Sequence, residues 1–171
     1  IPSSALTKVE STLKTVMDSV IVFSDYSKGA IVGLLQREPD LISTLRQQGN
    51  EVIIDPKGRD FSRYLNSSVI TPNRDEFEAV VGPCNTEEEL REKAAKLRRE
   101  LQCECLLITR SAKGMTLVGE HSITDFPALK KEVVDVTGAG DTVVAVLASE
   151  LASGTDIMEA LNSASLAASI A

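Results

Sequence analysis

The sequence holds no apolar stretch approaching the roughly 18–20 residues of a membrane span, so neither a transmembrane helix nor a membrane partner is expected. It opens Ile1-Pro2-Ser3-Ser4, without an initiator Met and without the basic segment and apolar core of a secretory leader. A processed or cut chain is the expectation. Positive charge is also short: 18 Lys and Arg stand against 25 Asp and Glu, a net charge of −7. Wrapping a nucleic acid needs basic surface, so no nucleic-acid partner is expected. Binding one nucleotide stays open, because that takes only a few backbone N–H groups and a cation or two. The three cysteines, Cys84, Cys103 and Cys105, have neither CxxC nor zinc-ligand spacing, and read as reduced thiols of a cytoplasmic protein. His121, the single histidine, falls in a hairpin pattern and is given no role. The serines at 163, 165 and 169 have no His/Asp pattern to make a triad. No repeat, linker or low-complexity segment breaks the chain.

What is present is enough apolar residue, 43 % of 171 positions, for one packed domain. Apolar residues at 6, 9, 13, 16 and 17 predict an amphipathic helix over 5–18. Short continuous apolar runs at 20–23, 51–54, 68–71 and 105–109 predict strands buried on both faces. Between them lie helical patterns: 30–48, interrupted at Pro39, a short helix from Asn73 to Val81, and a charged helix after Thr86. That last helix offers a Thr86/Glu89 capping box and the i,i+4 pairs Glu87/Arg91, Glu89/Lys93 and Glu92/Lys96. Residues 115–118 with 121–126 suggest a hairpin. Two small-residue helices follow a Gly-rich loop, at about 139–152 and 156–171. Alternating strands and helices give an α/β fold with a mainly parallel sheet, whose ligands gather at the carboxyl ends of the strands.

Four loops there have chemistry to offer. Asp135-Val136-Thr137-Gly138-Ala139-Gly140-Asp141 runs straight into an apolar helix, so small residues and first-turn N–H groups build a cradle for negative charge. A dinucleotide GxGxxG fails, since Val143 stands where the third glycine belongs; a plain helix start with a first-turn Asp fits equally. In Thr71-Pro72-Asn73-Arg74-Asp75-Glu76, Asn73 and Glu76 share one face of a helix start. There they can hold a phosphate and, through water, Mg²⁺, or simply cap the helix. Thr109-Arg110-Ser111-Ala112-Lys113-Gly114 offers hydroxyls, a guanidinium and a glycine turn to phosphates, or is an ordinary hairpin entry. In Asp55-Pro56-Lys57-Gly58, Lys57 meets a phosphate or belongs to a surface turn.

Together these loops resemble the ribokinase (PfkB-type) carbohydrate kinases, whose (D/N)TxGAGD signature is matched by 135–141 with Val136 in place of Thr. The loop 109–114 is similar to the family's TxGxxG nucleotide loop, with Ser111 where many members have glycine. Within the family, SDYSKGA, IDPKGRDFSRY, TPNRDEFEAVVG, LLITRSAKGMTL and VVDVTGAGDTVVAVLA are similar in order and spacing to bacterial heptose 7-phosphate kinases. Those enzymes are often fused to an adenylyltransferase and supply ADP-heptose for lipopolysaccharide. The resemblance implies a three-layer α/β/α sandwich and transfer of the ATP γ-phosphoryl to a sugar hydroxyl, O1 of heptose 7-phosphate. It makes Asp141 the base and gives the N–H groups of Gly138, Ala139 and Gly140 to the transferring phosphoryl. It assigns Lys57, Asn73, Arg74, Asp75, Glu76, Thr109, Arg110, Ser111 and Gly114 to the nucleotide, with Mg²⁺ held through water at Glu76. Asp135, with the Thr137 backbone, would take a monovalent cation such as K⁺, and a homo-oligomer is implied for the full-length protein. The family's N-terminal Gly-Gly sugar motif and lid strands are not among these residues, nor is an adenylyltransferase module. Residues 1–171 are therefore expected to be the nucleotide-binding and catalytic portion of one incomplete kinase domain. A kinase for another sugar or a nucleoside, or a non-catalytic nucleotide-binding module, is the alternative.

Overall fold

The runs 51–54, 68–71 and 105–109 become strands covered on both faces, whereas the run 20–23, on the edge of the sheet, leaves Val22 39 % exposed, against the expectation of burial on both faces. In β2 (Glu51–Asp55) the central residues Val52, Ile53 and Ile54 are fully buried, yet Val52 and Ile54 enter one core cluster and Ile53 the other. In β4 (Cys105–Thr109), Leu106 and Ile108 divide from Leu107 in the same way. A period-2 zigzag therefore feeds two cores at once, which is why no polar/apolar alternation shows in these segments. The computed structural model describes residues 2–128 and 138–169. Its six-stranded sheet runs in chain order from β1 (Val20–Ser24) through β2, β3 (Val69–Ile70), β4 and β5 (Met115–Val118) to β6 (Ile123–Phe126). The first four strands are parallel, and the β4–β5–β6 part is antiparallel.

One face carries α1 (Ser3–Leu13), α2 (Ala30–Arg37), α3 (Leu41–Gln47), α4 (Arg74–Val81) and α5 (Glu87–Leu101), through Leu34, Leu45, Phe77, Leu90 and Leu97. The other carries α6 (Ala139–Ala152) and α7 (Ile157–Ala168), through Val143, Leu147, Leu161 and Ala164. This is a three-layer α/β/α sandwich of the ribokinase-like kind.

Several expectations need correction. Helix α1 stops at Leu13 rather than 18: the Thr15 and Val16 N–H groups turn to i−3 carbonyls. Gln48 Nε2 and Asn50 Nδ2 donate to the Lys14 and Val16 carbonyls, so side chains from the α3–β2 turn replace the next helical turn. At α5, Thr86 Oγ1 accepts the Glu89 N–H, but the Glu89 carboxylate takes the Asn85 N–H, one residue short of a capping box. Of the three expected pairs on that helix, Glu89/Lys93 is present at 3.6 Å. Glu87 turns instead to Arg110 and Lys113, Arg91 to Asp125, and Lys96 to Glu100. A tertiary partner wins because Arg110, with a side chain 6 % exposed, needs carboxylates around it, whereas solvated i,i+4 pairs are worth only about 0.3–0.5 kcal/mol. The segment 133–135 lies outside the described residues.

Candidate active site

The parallel strands end on one edge of the sheet, and the polar residue after each apolar run is delivered there. Asp25 and Tyr26 follow β1, Asp55 closes β2, Thr71 follows β3, and Thr109 closes β4. Two further pieces complete an open cleft of ≈ 210 Å³: the start of α4, with Asn73 and Glu76, and the start of α6, with Gly138, Gly140 and Asp141. An isolated parallel bridge between Asn73 and Thr109 ties the α4 start to the end of β4.

The NxxE pair does what a cap requires. Asn73 Oδ1 accepts the Glu76 N–H at 2.9 Å and Glu76 Oε2 accepts the Asn73 N–H at 3.0 Å. That leaves Glu76 Oε1 facing the cleft, where Lys57 Nζ lies 2.5 Å away. The lysine is pushed above its ordinary value, chiefly by that bond. Helix α6 starts at Gly138, whose φ of +90° is left-handed, and its first internal bond runs from the Thr142 N–H to the Gly138 carbonyl. The N–H groups of Ala139, Gly140 and Asp141 precede that bond and, by helix geometry, have no acceptor within the helix. A Cβ built on Gly138 or Gly140 meets nothing within 4 Å. At Gly140, whose backbone is not left-handed, neither conformation nor packing among the described residues demands glycine, and the space beside it is open to a ligand.

Asp141 is exposed in the first turn of α6, and its Oδ1 lies 3.4 Å from the Tyr26 hydroxyl. Asp55 accepts the Ser24 hydroxyl at 2.8 Å. Burial raises Asp55 above its ordinary value of 3.8; the Ser24 bond opposes this, and the nearby Glu76 and Asp141 charges add to it. A carboxyl with a raised folded-state value takes up its proton at higher pH when folded than when unfolded. Its stabilising contribution is thus fullest below 3.8 and lost as pH climbs through the raised value, leaving a charge that costs stability at neutrality. Asp55→Asn should therefore melt above the parent at pH 7, with the gain shrinking as pH falls toward 4. Melting curves across that range check it; a gain independent of pH would show that the charge is not the cause.

Among the described residues, the cleft lining sets the carboxylates Asp25, Asp55, Glu76 and Asp141 against the single cation Lys57. Such a lining repels a phosphate unless a hard cation comes with it. Among the described residues no three His, Cys, Asp or Glu side chains converge on one point. Carboxylates in this number could accept a magnesium ion that keeps most of its waters.

Of the residues singled out in the sequence, Lys57, Asn73, Glu76, Thr109, Gly138, Gly140 and Asp141 line the cleft together. Others point elsewhere. Arg74 is bound to Glu78 Oε1 and the Cys84 carbonyl, and Asp75 is exposed on α4. Arg110 donates to both Glu87 oxygens and to Thr116 Oγ1, under the β5–β6 hairpin. Ser111 opens an exposed 3₁₀ turn, Gly114 closes it, and Ala139 lies between the two glycines of the lining. Asp135 and Thr137 lie outside the described residues. Asp25, Tyr26 and Asp55 were not singled out. Their signal is positional, a polar residue directly after a buried parallel strand.

Known proteins resemble this chain in sequence and in fold. The chain is 51 % identical over 152 residues to the bifunctional protein HldE of Chromohalobacter salexigens, covering 88 % of this chain and 31 % of that one. It spans about a third of the length of the curated relatives it matches. Phosphofructokinase-2 from Escherichia coli, solved with substrates and products, superposes with a TM-score of 0.83 at 20 % identity, over 100 % of this chain and 57 % of that one. Ribokinase of Arabidopsis thaliana, solved with ribose and ATP, gives a TM-score of 0.74 at 24 % identity, over 99 % and 52 %. The model of the pfkB family carbohydrate kinases matches residues 37–171, most of the chain, which therefore belongs to that family.

Proposed function

We propose that residues 1–171 form the nucleotide-binding and catalytic portion of an ATP-dependent sugar kinase. The observation that carries this reading is the pairing of an open glycine start of α6 with a carboxylate three residues on, facing one cleft. The γ-phosphoryl sits at the N–H groups of Gly138, Ala139 and Gly140, where a helix start favours an anion. Asp141 takes the proton of the acceptor hydroxyl as its oxygen bonds to phosphorus and the bond to the ADP oxygen breaks. Lys57, which lines the same cleft and is paired with Glu76, would offer its charge to the same phosphates. Magnesium bound with the nucleotide supplies charge neutralisation at the β- and γ-phosphates, and Glu76 would hold it through water. The strings similar to heptose 7-phosphate kinases, and the identity to an HldE protein, favour O1 of heptose 7-phosphate as acceptor. Catalysis of this kind is positioning and electrostatics.

Gly140→Ala tests the carrying observation. With nothing near the added Cβ, the free protein should melt no lower than the parent, and the helix start gains about 0.5–1 kcal/mol from losing a glycine. MgATP at a hundredfold excess over its dissociation constant should protect the parent by about 2.7 kcal/mol, and the variant far less. Equal protection of both, or none of the folded parent, would overturn the site as drawn. Nucleotide protection without turnover in the complete gene product would favour a non-catalytic binding module.

A further inference from the structure

Tyr26 is 61 % exposed, so burial does not place its ring. Its backbone does. Asp25, only 4 % exposed, accepts the Ser27 N–H on Oδ1 at 2.8 Å and the Tyr64 hydroxyl on Oδ2 at 2.8 Å. The Asp25 N–H donates to the Asp55 carbonyl at 2.9 Å, continuing the β1–β2 ladder by one residue. Tyr64 is fully buried, and burial followed by the hydrogen bond to Asp25 pushes its phenol well above the ordinary range, so it stays a donor. The loop carries left-handed backbone at Ser27 (φ +55°) and Gly29 (φ +82°). A buried carboxylate, a core tyrosine and a left-handed non-glycine residue are all committed to holding one exposed tyrosine over the cleft. What it reaches there is Asp141 Oδ1, at 3.4 Å.

A base beside a bound γ-phosphoryl faces a standing hazard. Water can give its proton to the carboxylate as readily as a sugar hydroxyl, and the phosphoryl is then lost as inorganic phosphate. Excluding that side reaction is a general task of phosphoryl-transfer sites. We infer that the Tyr26 hydroxyl occupies the acceptor hydroxyl's place on Asp141 until the acceptor displaces it, making Tyr26 a positioning residue that couples ATP cleavage to sugar binding. The inference rests on the reading of Asp141 as the base. Water activated by Asp141 would bond to phosphorus as the bond to ADP breaks, its proton passing to the carboxylate; to use Oδ1 it must first displace the Tyr26 hydroxyl.

Removing the phenolic oxygen should therefore raise a rate rather than lower one. In the complete gene product, Tyr26→Phe should increase acceptor-free MgATP hydrolysis by about 2- to 12-fold, the factor matching a net hydrogen bond of about 0.5–1.5 kcal/mol. The KM for the sugar phosphate should fall by a similar factor, because the acceptor no longer displaces a competitor. Its kcat and the KM for ATP should stay within about twofold. In the Tyr26→Phe/Asp141→Asn double variant the hydrolysis gain should vanish. A gain that persists there does not pass through Asp141 and overturns the inference. So do unchanged hydrolysis and unchanged acceptor KM in Tyr26→Phe, and so does a raised acceptor KM, which would make the phenol an acceptor-binding group. If Asp141→Asn alone keeps its kcat, the base reading itself fails; if it loses kcat while Tyr26→Phe changes nothing, only the coupling role fails.

Discussion

Asp141→Asn in the complete gene product should lower kcat by about 10²- to 10⁴-fold, or roughly 3–5.5 kcal/mol of barrier, and leave MgATP affinity and melting temperature nearly unchanged. The expectation follows from where the side chain sits. Asp141 is exposed at the third position of α6, lines the cleft, and accepts one long bond from Tyr26. It holds no core together. Asparagine keeps its size and removes the proton acceptor with the charge. The charge at a helix start is worth about 0.3–1 kcal/mol of stability, so a structural role and a chemical one differ by several kcal/mol and appear in different measurements. Steady-state kinetics, nucleotide titration and a melting curve on one preparation separate them. A kcat within a few-fold of the parent, with a lowered melting temperature, would make Asp141 a helix-start residue and remove this loop from the chemistry.

The parts of this molecule legible in its sequence are those whose cause is local. The buried run 105–109 matches β4 and the helix expected at about 139–152 matches α6, because a continuous apolar run and a glycine start are both short-range signals. The Asn73/Glu76 box was legible as either a cap or a cleft pair, and its geometry serves both, one carboxylate oxygen for each. Arg110 shows the limit. Next to a strand end and a glycine turn it reads as a phosphate ligand, yet its guanidinium is taken by Glu87, 23 residues earlier on another element, with a bond to Thr116. Nothing local announces that partner. Tyr26 and Asp55 are the converse: ordinary residues in their own segments, they become site residues because four parallel strands deliver their ends to one edge. The sheet's uninterrupted chain order was equally hidden, since apolar runs carry no record of their neighbours.

Gly114, a nucleotide-loop glycine by its sequence pattern, is held by a tertiary cause instead. Its φ of +78° and ψ of −130° lie where only glycine is comfortable. An added Cβ would stand 2.0 Å from the Phe126 carbonyl oxygen, 2.5 Å from the Ala128 nitrogen and 2.7 Å from the Pro127 carbonyl carbon. All three are backbone atoms at the end of β6 or just after it, so no side chain can swing aside; the β4–β5 turn or the end of β6 and the chain beyond it must move. Backbone strain of this kind costs about 1–3 kcal/mol, and forced crowding in a packed region about 1–3 kcal/mol more. For a chain of this size each kcal/mol is worth roughly 2–4 °C in melting temperature. Gly114→Ala should therefore melt far below the parent even with no nucleotide present, the reverse of Gly140→Ala. Gly154→Ala is the control, since Gly154 has φ +82° but nothing within 4 Å of an added Cβ. It carries the left-handed backbone cost alone, about 1–2 kcal/mol. If Gly114→Ala melts within a degree or two of Gly154→Ala, the clash is relieved at no cost and the packing explanation falls. If it melts far lower, Gly114 is fixed by the chain that follows β6, and its glycine needs no ligand to explain it.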